Sequence, residues 1–99
     1  MSNTLMEKLT SNRYKILKIL YENQVKKADG TTFAPITQVE IADQLNISKI
    51  TVNSIFKELQ ADGLVGKIGS VRGRYELSEK ALMIIEQMNI INEKLEEDR

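Results

Sequence analysis

The stretch TQVEIADQLNISKITVNSIFKELQADGLV, residues 37–65, sets the architecture of this chain. Twice in it, or at its edge, an apolar residue precedes a Ser or Thr that is followed four positions later by another apolar residue: Ile36-Thr37 with Ile41, and Ile47-Ser48 with Val52. This is the spacing of an N-cap hydroxyl inside a hydrophobic staple. The side-chain oxygen accepts a free first-turn N–H, and the flanking apolar pair fixes the angle at which the chain enters the helix. Glu40 completes a capping box with Thr37. One helix is therefore predicted over residues 38–45 and a second over about 49–62. Only Asn46 and Ile47 separate the first from the Ser48 cap, so the turn is very tight, and Asn tolerates the left-handed conformation that such a turn needs. The second helix puts Val52, Ile55, Phe56 and Leu59 on one face and stops at Gly63.

The same staple spacing occurs at Leu9-Thr10 with Tyr14 and at Leu77-Ser78 with Leu82, which adds a helix on either side. The N-terminal one carries Tyr14, Ile16, Leu17, Leu20 and Tyr21 as its apolar stripe and fades near Gln24, after which residues 26–30 read as a loop. Residues 64–68 and 74–77 are short extended runs around Gly69 and Gly73, a β-hairpin, and residues 33–36 can add an edge strand because Pro35 is tolerated only at an edge or strand end. The last helix runs from Ser78 to about Glu96. Helix, strand, helix, tight turn, helix, hairpin, helix is the order of a winged helix-turn-helix. The class is mainly α (α+β), with a two- to three-stranded wing sheet and a long C-terminal helix.

At 99 residues the chain is one domain, here divided into a winged unit, 1–77, and a C-terminal helix, 78–99. With no Cys and no His it has no thiolate, no Ser-His or Cys-His pair, no disulfide and no ordinary zinc site. Glu40, Asp43, Glu58 and Asp62 are dispersed helix carboxylates without a glycine-rich phosphate loop, so no enzyme, metal or cofactor is expected. Residues 1–13 have no export signal, and the longest apolar run, 81–85, falls far short of the roughly 20 residues that span a bilayer. A cytoplasmic protein with no membrane partner is the expectation.

Residues 37–65 resemble the helix-turn-helix of bacterial winged-helix regulators, with Ile41-Ala42, Ile47-Ser48, Thr51-Val52, Leu59 and Gly63-Leu64-Val65 in the family's positions. Leu9-Thr10 and Leu77-Ser78-Glu79-Lys80 are similar to the flanks of this unit in MarR-like proteins. The family's usual turn Gly is Asn46 here, and Ala81 stands where a Gly is common. The resemblance implies a sequence-specific, double-stranded DNA-binding transcriptional regulator. Its recognition helix, about 49–62, would enter the major groove, and its wing, 66–74, would reach the backbone or minor groove. With Val52, Ile55, Phe56 and Leu59 inward, the outer face of that helix carries Lys49, Ile50, Asn53, Ser54 and Lys57, with Ser48 and Thr51 near its start and Thr37 on the preceding cap. Asn53 suits an adenine edge and Ile50 a thymine methyl, whereas Lys49, Lys57 and the Ser48 end suit phosphate. The wing offers Lys67, Arg72 and Arg74, of which half must point elsewhere because hairpin faces alternate. A plasmid or phage replication or partition protein, and a winged-helix protein-interaction module, are the alternatives.

In the last helix Leu77, Ala81, Ile84, Met88, Ile91 and Leu95 alternate by four and three, the seam of a coiled coil. Residues through about Ile85 are expected to pack on Leu17, Leu20 and Tyr21. Ile84, Met88, Ile91 and Leu95 are the expected homodimer contacts, which would place two recognition helices on successive major grooves. Met83 and Met88 are expected to pack rather than line a pocket, and no small-molecule effector is specified. The net charge of zero conceals opposites. Residues 1–45 carry 6 basic and 5 acidic side chains, residues 46–75 carry 5 and 2, and residues 76–99 carry 3 and 7. The recognition helix and wing are basic, and the last helix is acidic.

Overall fold

The computed structural model describes residues 11–69 and 72–97. Helix α1 (Asn12–Glu22) begins at Ser11, whose hydroxyl accepts the Tyr14 N–H at 3.2 Å. The cap thus falls one residue after the Thr10 of the staple reading, and Leu9 and Thr10 lie outside the described residues. Tyr14, Ile16, Leu17, Ile19 and Leu20 are buried, while Tyr21 is 36% exposed. The expected stripe had Tyr21 in the place that Ile19 takes. Because α1 is packed by the two central helices and by the C-terminal helix, its buried face is wide enough to include Ile19, and Tyr21 sits in the last turn on the open side.

Residues 26–30 are not a plain loop. Strands β1 (Val25–Lys26) and β2 (Thr32–Phe33) pair antiparallel, Val25 opposite Phe33 and Lys26 opposite Thr32. The Lys27 N–H donates to the Thr31 carbonyl at 2.7 Å, and the Asp29 carboxylate accepts the Thr31 hydroxyl and N–H at 2.6 and 3.0 Å. Those two bonds hold the Asp29 carboxyl below the usual carboxylate range. Of the edge strand expected at 33–36, Phe33 belongs to β2 and Ala34 alone pairs with the wing. Ala34 and Tyr75 exchange both backbone hydrogen bonds, at 2.7 and 3.2 Å, and Pro35 has no N–H with which to extend the ladder.

The central helices follow the caps. In α2 (Gln38–Leu45) the Thr37 hydroxyl accepts the Glu40 N–H at 3.1 Å and the Glu40 carboxylate accepts the Thr37 N–H at 2.9 Å, a complete capping box. Asn46 adopts φ 56°, ψ 45°, and the Ile47 N–H reaches back to the Ala42 carbonyl at 3.1 Å, which closes the helix as a Schellman turn. Helix α3 (Lys49–Ala61) starts at Ser48, whose hydroxyl accepts the Thr51 N–H at 3.0 Å. It buries Val52, Ile55, Phe56 and Leu59 and ends at Gly63, φ 72°.

The wing strands β3 (Val65–Lys67) and β4 (Tyr75–Leu77) pair Val65 with Leu77, Gly66 with Glu76 and Lys67 with Tyr75. Both are shorter than the extended runs read from sequence, and the wing-tip residues 70 and 71 lie outside the described part. Helix α4 (Glu79–Glu97) is capped by Ser78, whose hydroxyl accepts the Ala81 N–H at 3.1 Å. The core is one cluster in which Ile16, Leu20, Ile41, Val52, Phe56, Leu59 and Ile85 are fully buried, each stabilising the fold by roughly 1.5–3 kcal/mol. This is a winged helix-turn-helix with a long C-terminal helix, as the element order implies.

Candidate nucleic-acid interface

Packing the amphipathic helix α3 by its apolar face leaves its first two turns facing the wing. Between them lies a cleft of about 380 Å³ lined by the start of α2, the start of α3 and the wing. Thr37, Lys49, Asn53, Lys67 and Arg72, drawn from three segments, meet there. Gln38, Val39, Gly73 and Tyr75 complete the lining, and the sequence reading passed over all four as binding residues.

Among the described residues, three cations and no carboxylate line this cleft. Glu58 and Asp62, the two acids of residues 46–75, stand at the C-terminal end of α3 and pair there with Arg13 of α1, which donates to them at 3.1 and 2.6 Å. The Glu40 carboxylate accepts the Thr37 N–H and hydroxyl, which hold it below the usual glutamate range.

The polar groups inside it are connected. Asn53 Nδ2 donates to Gln38 Oε1 at 3.2 Å, and Gln38 Nε2 donates to the Tyr75 hydroxyl at 3.3 Å. The Tyr75 ring is fixed beneath by Phe56, centroid to centroid 4.7 Å and tilted by 53°. Gly73 brings the wing close: with φ +76°, a Cβ there would lie 2.8 Å from Thr37 Cγ2. No longer side chain fits between wing and cap at that spacing.

The remaining sequence-derived residues lie outside the cleft. Ser48, Ile50, Thr51, Ser54 and Lys57 are exposed along α3, with Ile50 at 83% exposure, and the Ser48 and Thr51 hydroxyls are 2.7 Å apart. Arg74 is on the opposite face of the wing, its guanidinium 5.6 Å from the centre of the Phe33 ring, which Lys27 also approaches at 5.4 Å. Strand alternation explains the split. Lys67 and Tyr75 are register partners on the cleft face, and Arg74 neighbours Tyr75 in sequence and so faces away.

Along α4 only Ala81 and Ile85 are buried. Ile84 is half-buried against the monomer's own core, Met88 and Ile91 are half-buried, and Leu95 is 37% exposed. Met83 does not pack as expected. It is 66% exposed, and Ile90, two turns on, is 53% exposed, because the helix is rotated to bring Ala81, Ile85 and Asn89 toward α1. The Tyr14 hydroxyl donates to Asn89 Oδ1 at 3.1 Å, and burial, with the Glu22 charge nearby, pushes the Tyr14 hydroxyl up. Among the described residues, no three His, Cys, Asp or Glu side chains are grouped to hold a metal ion, and no helix is long and apolar enough to cross a membrane.

Residues 14–83 match the family described as Crp-like helix-turn-helix domain. No curated protein matches the sequence. Among solved structures, wild-type ZitR of Lactococcus lactis in complex with DNA is 26% identical, with a TM-score of 0.65 over 86% of this chain and 53% of that one. A variant of S. aureus MepR bound to an oligodeoxyribonucleotide is 22% identical, with a TM-score of 0.73 over 97% of this chain and 68% of that one. The reduced CO-sensing protein from R. rubrum is 18% identical, with a TM-score of 0.62 over 84% of this chain and 39% of that one. At these identities the last two show the fold alone. The chain spans 53% of ZitR in that complex and 39% of the CO-sensing protein, less than two thirds of each.

Proposed function

The chain belongs to the Crp-like helix-turn-helix domain family, and on that premise we propose that it is a cytoplasmic, sequence-specific regulator of transcription that binds double-stranded DNA as a homodimer. The observation that carries the proposal is the cleft lined by Lys49, Asn53, Lys67 and Arg72, with no carboxylate among its described lining residues. An α-helix fits the major groove, and Asn is one of the side chains that pairs bidentately with an adenine edge. In this reading Asn53 reads a base, and exposed Ile50 meets a thymine methyl. Thr37, Ser48, Lys49, Thr51, Ser54 and Lys57 contact the backbone along the groove. Lys67 and Arg72 carry the wing to phosphate or a narrow minor groove. Arg74, packed over Phe33, contributes its charge from the far face.

The dimer is formed through the second half of α4. Met88, Ile91 and Leu95 supply its centre, Ile84 its margin, and exposed Met83 and Ile90 widen it. An acidic α4 then stands away from the phosphates. Selection of bound DNA from a random pool tests the function. One enriched pseudo-palindrome with half-sites about 10 base pairs apart is expected. Clustered tandem sites would move the protein to a replication or partition role, and no enrichment would overturn DNA recognition.

A further inference from the structure

The hydrogen bonds inside the cleft run in one direction. Gln38 accepts from Asn53 through Oε1 and donates to the Tyr75 hydroxyl through Nε2, so a single amide joins the recognition helix to the wing strand. Gln38 is the first residue of α2 and half-buried, with its backbone fixed by the Thr37 capping box. Tyr75 is buried and its ring held by Phe56, so the wing end of the relay does not turn freely.

This arrangement determines what Asn53 can offer. An unrestrained Asn amide rotates about its last bond and presents oxygen or nitrogen to the groove alike. With one Nδ2 hydrogen committed to Gln38, the amide can no longer exchange its oxygen and nitrogen, and it keeps one N–H donor and the Oδ1 acceptor for the groove. An adenine edge has the complementary pair, an N7 acceptor and an N6 donor. At the other end, Tyr75 accepts from Gln38 and keeps its own proton to give to an acceptor in the cleft. Bonds aligned in series polarise one another, which strengthens both ends.

We infer that Gln38 is a specificity-positioning residue, which orients the Asn53 amide for an adenine through the Asn53–Gln38–Tyr75 relay. The inference rests on the reading of Asn53 as a base-contacting residue. It goes beyond that reading in locating part of the sequence preference on a residue outside the recognition helix.

The test uses the full chain, the DNA site selected by the wild type, and the same site with its Asn53-dependent A·T pair replaced. Asn53→Ala identifies that pair, and thermal unfolding confirms that every variant is folded. Gln38→Leu keeps an apolar stem one atom shorter than Gln and removes both hydrogen bonds. It should lose about tenfold of discrimination at that pair, while affinity for the replaced site and the salt dependence stay as in the wild type. Gln38→Glu still accepts from Asn53 but brings a negative charge into a basic cleft, so it should bind both sites more weakly and keep their ratio. A purely structural role for Gln38 would lower affinity for both sites together in the Leu variant. If Asn53→Ala removes the discrimination and Gln38→Leu retains it, the inference is overturned and the reading of Asn53 stands. If Asn53→Ala retains it, that reading fails and the inference fails with it.

Discussion

Gly73 and Asn46 are two single residues on which the interface geometry depends. At Gly73 a positive φ coincides with a close approach, since an added Cβ would lie 2.8 Å from Thr37 Cγ2. Gly73→Ala should therefore destabilise the protein by about 1–3 kcal/mol, read by urea unfolding, and weaken any binding that needs the wing seated against α2. Gly69 provides the contrast. Its φ is also positive, but nothing lies within 4 Å of the added Cβ, so the Ala variant there pays only for the backbone. Asn46 occupies the left-handed region between α2 and α3. Asn46→Ala should cost about 1 kcal/mol by the same measurement, and Asn46→Gly should cost nothing or stabilise. The Asn46 conformation was legible from sequence because a two-residue connection leaves few alternatives. Gln38 and Tyr75 were not, because their roles arise between residues 15 and 37 positions apart that only the folded chain brings within reach.

At the level of elements, the hydroxyl caps and apolar periods located all four described helices, and the two tight helix ends fell at Asn46 and Gly63 as read. The β1–β2 hairpin was missed for a physical reason. Its strands are two residues long, their faces are largely exposed, and an Asp-stabilised turn reads as loop when no apolar alternation flanks it. The Thr10 cap was displaced because Ser11, equally able to cap, fits the helix phase that buries Ile16 and Leu20. The capping box of α2 makes a pH prediction. Hydrogen bonds from Thr37 lower the Glu40 carboxyl in the folded state. Its stabilisation is accordingly complete above the unfolded glutamate pKa, about 4.3, and is lost as pH falls through the lower folded value. The melting temperature of the wild type should exceed that of Glu40→Gln at neutral pH and converge with it in acid. A gap that is constant across the range would contradict this.

Across the whole molecule, charge and apolar surface are segregated. The basic cleft lies at the α3 and wing side, Arg13 pairs with Glu58 and Asp62 at the other end of α3, and the acidic α4 leaves Met83, Ile90 and Leu95 at its surface. The division into 46–75 basic and 76–99 acidic was readable from the sequence, but the pairing of Glu58 and Asp62 with Arg13 was not. In the proposed dimer, Ile91→Glu with Leu95→Glu should give a folded monomer in sedimentation. Its affinity for a palindromic site should fall by about 100-fold or more, as two linked half-sites become independent. A double variant that still sediments as a dimer would contradict the α4 interface.

The central proposal is that DNA lies across the cleft between α3 and the wing, and the salt dependence of binding to the selected site tests it most directly. Lys67→Ala combined with Arg72→Ala should reduce the slope of log K against log salt by about 1.8, or roughly 0.9 for each phosphate contact removed. Lys80→Ala, on α4, should leave the slope unchanged. Equal slopes for the wild type and the wing variant would contradict the proposed interface.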